Sequence, residues 1–124
     1  VMSAVRIRNT STNGSIFTMN TADGSFTATG NIEANSDETL KVNIETINDA
    51  LLKVNKLRGV YFDMKAHPGK RNTGVIAQEM ERVLPEVVST NPEDGIKSVA
   101  YGNVVGLLIE AIKELKEEVD QLKG

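Results

Sequence analysis

The chain of 124 residues has no cysteine, no tryptophan and a single histidine, and only 4% of it is aromatic. Without cysteine there is no disulfide scaffold, no thiolate metal site and no cysteine nucleophile. One histidine, His67, excludes a histidine-rich metal site, and neither a zinc spacing, an HExxH run nor a phosphate loop is present. Acidic residues (17) outnumber basic ones (14), giving a net charge of −3. This balance argues against a sequence-blind nucleic-acid binder. No apolar run approaches the length of a membrane span, and the first residues carry no apolar stretch of the signal-peptide kind. The expectation is therefore no cofactor, no metal, no nucleic acid and no membrane. Scarce aromatics leave little bulk for a large core, and a small chain with a thin core gains stability by associating with copies of itself.

What is present is unevenly distributed. Residues 1–35 hold eighteen Ser, Thr, Asn or Gly and only four charges, whereas residues 36–124 hold the other 27 charges and every long amphipathic pattern. A boundary is expected near residue 35. The first part reads as short, polar strands. Residues 4–8 alternate around Val5 and Ile7. Residues 16–19 follow an Asn13-Gly14 pair, residues 26–29 follow Asp23-Gly24, and Ile32-Glu33 follows Gly30. Asn-Gly and Asp-Gly supply positive φ at low cost and favour tight hairpins. Strands this lean cannot bury enough surface alone. Two readings stand: a loose tail, or a stem that packs only against copies of itself.

In the second part, Ser36 is a candidate N-cap followed by Asp37 and Glu38. The spacing of Leu40, Ile44, Ile47, Leu51 and Val54 suggests a helix, with Val42 and Asn43 as interruptions. Strands are expected within residues 57–65, over Val75–Ala77 and near Val99–Tyr101. A turn is expected over residues 67–72, a short helix over Gln78–Leu84 stopped by Pro85, and a polar loop over Ser89–Gly95. The clearest signal is terminal. Val105, Leu108, Ile112, Leu115, Val119 and Leu122 are spaced 3, 4, 3, 4 and 3, the a/d seam of a coiled coil. A helix over about residues 103–123 would be on the order of 30 Å long, with Glu110, Lys113, Glu114, Lys116, Glu117 and Glu118 covering its outside. The stripe fits either a self-associating seam, dimeric or trimeric, or a helix lying on its own core. The fold class is thus α+β: a polar, β-rich N-terminal segment followed by a small mixed domain with a long C-terminal coiled-coil helix.

Few residues offer chemistry. Glu79 and Glu81, at i and i+2, point apart on a helix and form no carboxylate pair. His67 sits in a basic turn beside Pro68 and reads as exposed. The one nucleophile–base candidate is Ser36 with Lys41. Lysine acts as a base only when neutral, and its reference pKa of about 10.4 must be lowered by burial or a nearby cation. Five residues of helix advance about 500°, leaving the two side chains about 140° apart. To meet, Ser36 must lie in non-helical backbone or Lys41 must come from another chain. The plain alternative is a helix cap and a solvated lysine.

The run Ser36-Asp37-Glu38-Thr39-Leu40-Lys41 with Asn43-Ile44-Glu45 resembles the opening of the C-terminal intramolecular chaperone domain (peptidase S74 family) of phage tailspikes and tail fibres. The resemblance continues in Gly59–Lys65, is strongest in Gly74–Glu81 with Leu84–Val88, and closes with Lys97–Tyr101 and Leu107–Leu115. It covers residues 36–124 in order. It implies a homotrimer that aligns the chains of an upstream β-structured stem, here residues 1–35. It also implies single-turnover autoproteolysis between Asn35 and Ser36 by a Ser36–Lys41 dyad, in a parent protein made in the bacterial host cytoplasm and carried in the virion tail. Position 39 is often Arg in this family, so Thr39 lacks a cation that would favour a neutral Lys41. Against this reading stand a permanent, non-cleaving trimerisation module of the same fold and an unrelated α+β binding domain with a coiled coil.

Overall fold

The computed structural model describes residues 4–124, so the first three residues of the expected stem segment lie outside it. The chain divides into two compact units, one running to Asn43 and one spanning Ile44–Gly124.

The first unit is a three-stranded antiparallel meander of β1 (Ala4–Arg8), β2 (Ser15–Asn20) and β3 (Phe26–Ala28), in the order β1-β2-β3. Both turns form where Asn-Gly and Asp-Gly predict them. Asn13 adopts φ +55° and Gly24 φ +77°, and side-chain oxygens satisfy the turn amides. Asn9 Oδ1 accepts from Ser11 N at 2.8 Å, and Asp23 Oδ1 accepts from Ser25 N at 2.9 Å. These Asx turns select the reversal locally. β1 pairs with β2 from Ala4 opposite Asn20 to Ile7 opposite Phe17, with an irregularity before Arg8. Phe17 and Phe26 meet edge to face, their ring centroids 4.3 Å apart. None of the described residues up to Asn43 is buried, so this sheet is held by its ladder and turns rather than by a core. The strand expected at Ile32-Glu33 does not form.

The second unit carries α1 (Ala50–Val54), β4 (Val60–Asp63), β5 (Arg71–Gly74), α2 (Ala77–Val83), β6 (Val88–Thr90), β7 (Lys97–Val99) and α3 (Val105–Lys123), with 3₁₀ turns at Pro85–Val87 and Tyr101–Val104. The strands form two separate antiparallel pairs, β4-β5 and β6-β7. The core is small: Ala50, Met80, Leu84, Val87, Leu107 and Ala111 are buried, ringed by half-buried residues such as Ile47, Leu51, Val75 and Val99. Alanines at 50 and 111 let α1 and α3 approach closely. Met80 and Leu107 are the largest side chains fully buried, and truncating either to Ala is expected to cost about 2–5 kcal/mol.

Several expectations need correction. The helix read from Leu40 to Val54 forms only over Ala50–Val54. Asn43 (φ +55°) and Asp49 (φ +50°) both take left-handed backbone, which stops any helix entering from upstream. Leu40, Val42 and Ile44 consequently remain exposed. The strand expected at Val75–Ala77 lies earlier, at Arg71–Gly74, because Val75 leaves the ladder to pack against the core. Gly74 is needed there: a Cβ would come within 2.5 Å of Tyr101 Oη, which accepts a hydrogen bond from Val75 N at 3.2 Å. The last strand ends at Val99, Tyr101 instead opening a 3₁₀ turn. The expected polar loop gives its first residues, Ser89 and Thr90, to β6.

Candidate functional site

Ser36 and Lys41 come together within one chain. A single 3₁₀ turn, Glu38–Leu40, separates them. Asp37 enters it with extended backbone (φ −63°, ψ 135°) and Lys41 leaves it extended (φ −120°, ψ 147°). Leu40 N donates to Asp37 O at 3.1 Å and Lys41 N to Glu38 O at 3.0 Å. The turn folds its flanks toward each other, and Lys41 Nζ donates to Ser36 Oγ at 2.6 Å. The obstacle raised by regular helix geometry disappears because no regular helix forms here. Both residues are exposed in the single chain.

The cap of this turn is Asp37, not Ser36 as expected. Asp37 Oδ1 accepts from Thr39 N at 2.8 Å and from Thr39 Oγ1 at 2.7 Å. The Thr39 hydroxyl, and then the Thr39 amide, hold the Asp37 carboxyl below its ordinary range. Thr39, noted in the sequence for the cation it lacks, is thus a structural partner of its neighbour. Ser-x-x-x-x-Lys spacing alone does not reveal this, although an Asp two residues before a Thr is an Asx-turn signal.

The other singled-out residues lie in the second unit and behave as structural groups. Glu79 receives a bidentate pair from Arg58, with Nε and Nη2 each at 2.9 Å from its oxygens. Hydrogen bonding from Arg58 holds the Glu79 carboxyl below its usual range and raises the Arg58 guanidinium. Glu81 pairs instead with Lys97 at 3.0 Å, so the two carboxylates face different partners. His67 is exposed in the β4-β5 turn, where its amide donates to Met64 O.

α3 has two apolar stripes. Leu107 and Ala111 face inward and are buried, whereas all six seam residues are exposed, from 39% at Val119 to 88% at Leu122. The stripe therefore does not lie on the chain's own core. Glu114, expected on the outside, follows Leu107 and Ala111 by the same 4–3 spacing and points at α1. Its carboxylate accepts from Ala50 N at 2.8 Å and Leu51 N at 3.2 Å. Asp49, the residue preceding α1, makes no side-chain cap of its own, so α3 supplies the cap.

Residues 36–89 match the Peptidase_S74 family, described as chaperone of endosialidase. Among curated proteins it is similar to long tail fiber protein Gp37 of Enterobacteria phage M1, 39% identical over 114 residues. That alignment covers 82% of this chain and 45% of the relative. The corresponding protein of Enterobacteria phage K3 is 37% identical over 101 residues, covering 76% of this chain and 8% of the relative. The chain thus spans less than half the length of these relatives.

Proposed function

We propose that this chain is the assembly chaperone of a phage tail fibre: it trimerises through α3, registers the β-rich segment ahead of residue 36, and then releases itself by cutting the Asn35–Ser36 bond. The observation that carries the chemistry is the 2.6 Å approach of Lys41 Nζ to Ser36 Oγ across a five-residue span of one chain. The family match beginning at Ser36 supports the same boundary. The observation that supports assembly is the six-residue apolar seam left exposed on α3.

The residues suit a single-turnover mechanism. Neutral Lys41 takes the Ser36 hydroxyl proton as Oγ adds to the Asn35 carbonyl carbon. The bond from that carbon to the Ser36 nitrogen breaks, and Lys41 returns the proton to the departing nitrogen. Water then hydrolyses the Asn35 ester, freeing its carboxylate and restoring the Ser36 hydroxyl. Both residues are exposed in the single chain; a lysine serves as a base when desolvated, and burial between chains would supply that setting. Cutting would then follow assembly. The biological logic matches the lean β-sheet. Strands that bury nothing alone face a large entropic cost in finding register, and a trimer at one end converts that search to an intramolecular one at high effective concentration. Once the helper leaves, the stem is held kinetically.

Intact mass and a denaturing gel of freshly expressed protein, followed over incubation, test this. Two pieces, residues 1–35 and 36–124, are expected. A single full-length species that persists as a trimer would instead identify a non-cleaving trimerisation module, and a stable dimer or monomer at micromolar concentration would overturn the assembly role.

A further inference from the structure

Resting on that reading, we infer that Asp37 and Thr39 are positioning residues for the cleavage, a two-residue brace that holds Lys41 against Ser36. The turn between the pair is one isolated 3₁₀ turn of three residues. Such a turn has poor hydrogen-bond geometry and no helix to propagate from, so it has little stability of its own. No described residue of this unit is buried to fix it. What fixes it is a single carboxylate oxygen. Asp37 Oδ1 takes both the Thr39 amide, otherwise an orphan at the start of the turn, and the Thr39 hydroxyl. Bonds to an ionised acceptor are the stronger kind. Of the backbone bonds that close the turn, Leu40 N to Asp37 O ends on the bracing residue itself, and Lys41 N to Glu38 O ends on the residue held between Asp37 and Thr39.

The brace has a second effect. Asp37 sits one residue from the nucleophile, where a free carboxylate would compete with Ser36 for the Lys41 side chain. Committed to Thr39, Asp37 is turned to another partner, and among the described residues Lys41 makes no ion pair with Asp37 or Glu38. The threonine at position 39 thereby occupies the neighbouring acid by hydrogen bonding.

The test is a set of four variants of the full chain, read by cleavage rate, with the oligomeric state followed by sedimentation. Asp37→Ala and Thr39→Val are expected to slow cleavage roughly tenfold with the trimer intact. Asp37→Asn, which keeps an oxygen acceptor, and Thr39→Ser, which keeps the hydroxyl, should stay within about threefold of wild type. A rescue confined to the hydrogen-bonding variants, at constant assembly, is not what general unfolding produces. Wild-type rates in Asp37→Ala and Thr39→Val would overturn the brace. Should the wild-type chain remain uncut, the cleavage reading falls, and the brace is judged on the NOE between Ser36 Hβ and Lys41 Hε. Loss of that NOE in Asp37→Ala and Thr39→Val sustains the brace, and unchanged intensity overturns it.

Discussion

At the scale of single residues, the chain uses carboxylates to replace the large core it lacks. Asp37 closes a turn, Glu114 caps a helix and Glu79 grips Arg58, and each acts by accepting N–H or O–H bonds. The proposed chemistry gives the first prediction: Ser36→Ala leaves a full-length trimer by intact mass, and Lys41→Ala slows cutting at least about a hundredfold with assembly preserved. Continued cutting in either variant would remove that residue from the mechanism. Glu79 gives a pH prediction. Its carboxyl is lowered in the folded chain, first by hydrogen bonding from Arg58, so the unfolded state binds the proton at higher pH than the folded one. The stabilisation is fully present above the ordinary glutamate range and is lost as pH falls through the lowered folded value. A plot of Tm against pH should therefore lose part of its acid slope in Glu79→Gln. An unchanged slope would show that the pair, largely open to solvent on the Arg58 side, is screened into insignificance.

At the scale of elements, the informative contacts are those that no periodicity encodes. α1 is only five residues long and enters from left-handed Asp49, so it has neither length nor local cap to stabilise it. Glu114 provides the cap from α3. Glu114→Ala should cost about 1–3 kcal/mol in chemical denaturation by leaving two part-buried amides unpaired. Glu114→Gln, which keeps one acceptor oxygen, should cost less. Gly74 gives a paired test. Gly74→Ala should destabilise by about 1–3 kcal/mol through the clash with Tyr101 Oη, and adding Tyr101→Phe should recover part of the loss because the clashing atom is gone. Equal losses in the single and double variants would place the strain elsewhere. These features mark the limit of what the sequence reveals. The hairpins at Asn13-Gly14 and Asp23-Gly24, α2 and α3 were legible because turn chemistry and the 3.6 period are local. The false helix over Leu40–Val54 had acceptable spacing; of the two left-handed residues that break it, Asn43 stands where the sequence suggests an interruption and Asp49 carries no such signal. The Ser36–Lys41 pair was legible as a nucleophile type and a base type, joined by the family resemblance and not by their spacing. The device that joins them was not, since it depends on a 3₁₀ turn where helical spacing argued for separation.

At the scale of the whole molecule, the decisive feature is the division of α3 into an inward stripe and an outward one. Leu107 and Ala111 anchor the helix to its own domain, and a change at a partly exposed position of the outward stripe leaves both in place. Leu108 and Leu115 belong to the outward stripe, roughly a quarter turn around the helix from the buried one, and are 45% and 48% exposed. A charge placed there stays in water in a lone chain and is forced into an apolar seam only when chains associate, where an unpaired charge is costly. The variant carrying Leu108→Asp and Leu115→Asp is therefore expected to keep its helical circular dichroism and to lack, in sedimentation, the threefold mass that the proposed assembly predicts for the unaltered chain. Under the proposed order of events it also loses cutting at Asn35–Ser36, because the pair never leaves water, although Ser36 and Lys41 are untouched. Cleavage that proceeds at full rate in a monomeric variant would separate the chemistry from assembly and leave Lys41 to work as an exposed base. A variant that remains trimeric would show that another surface organises the chains, and the exposed apolar run of Leu40, Val42 and Ile44 would then be the next place to put a charge.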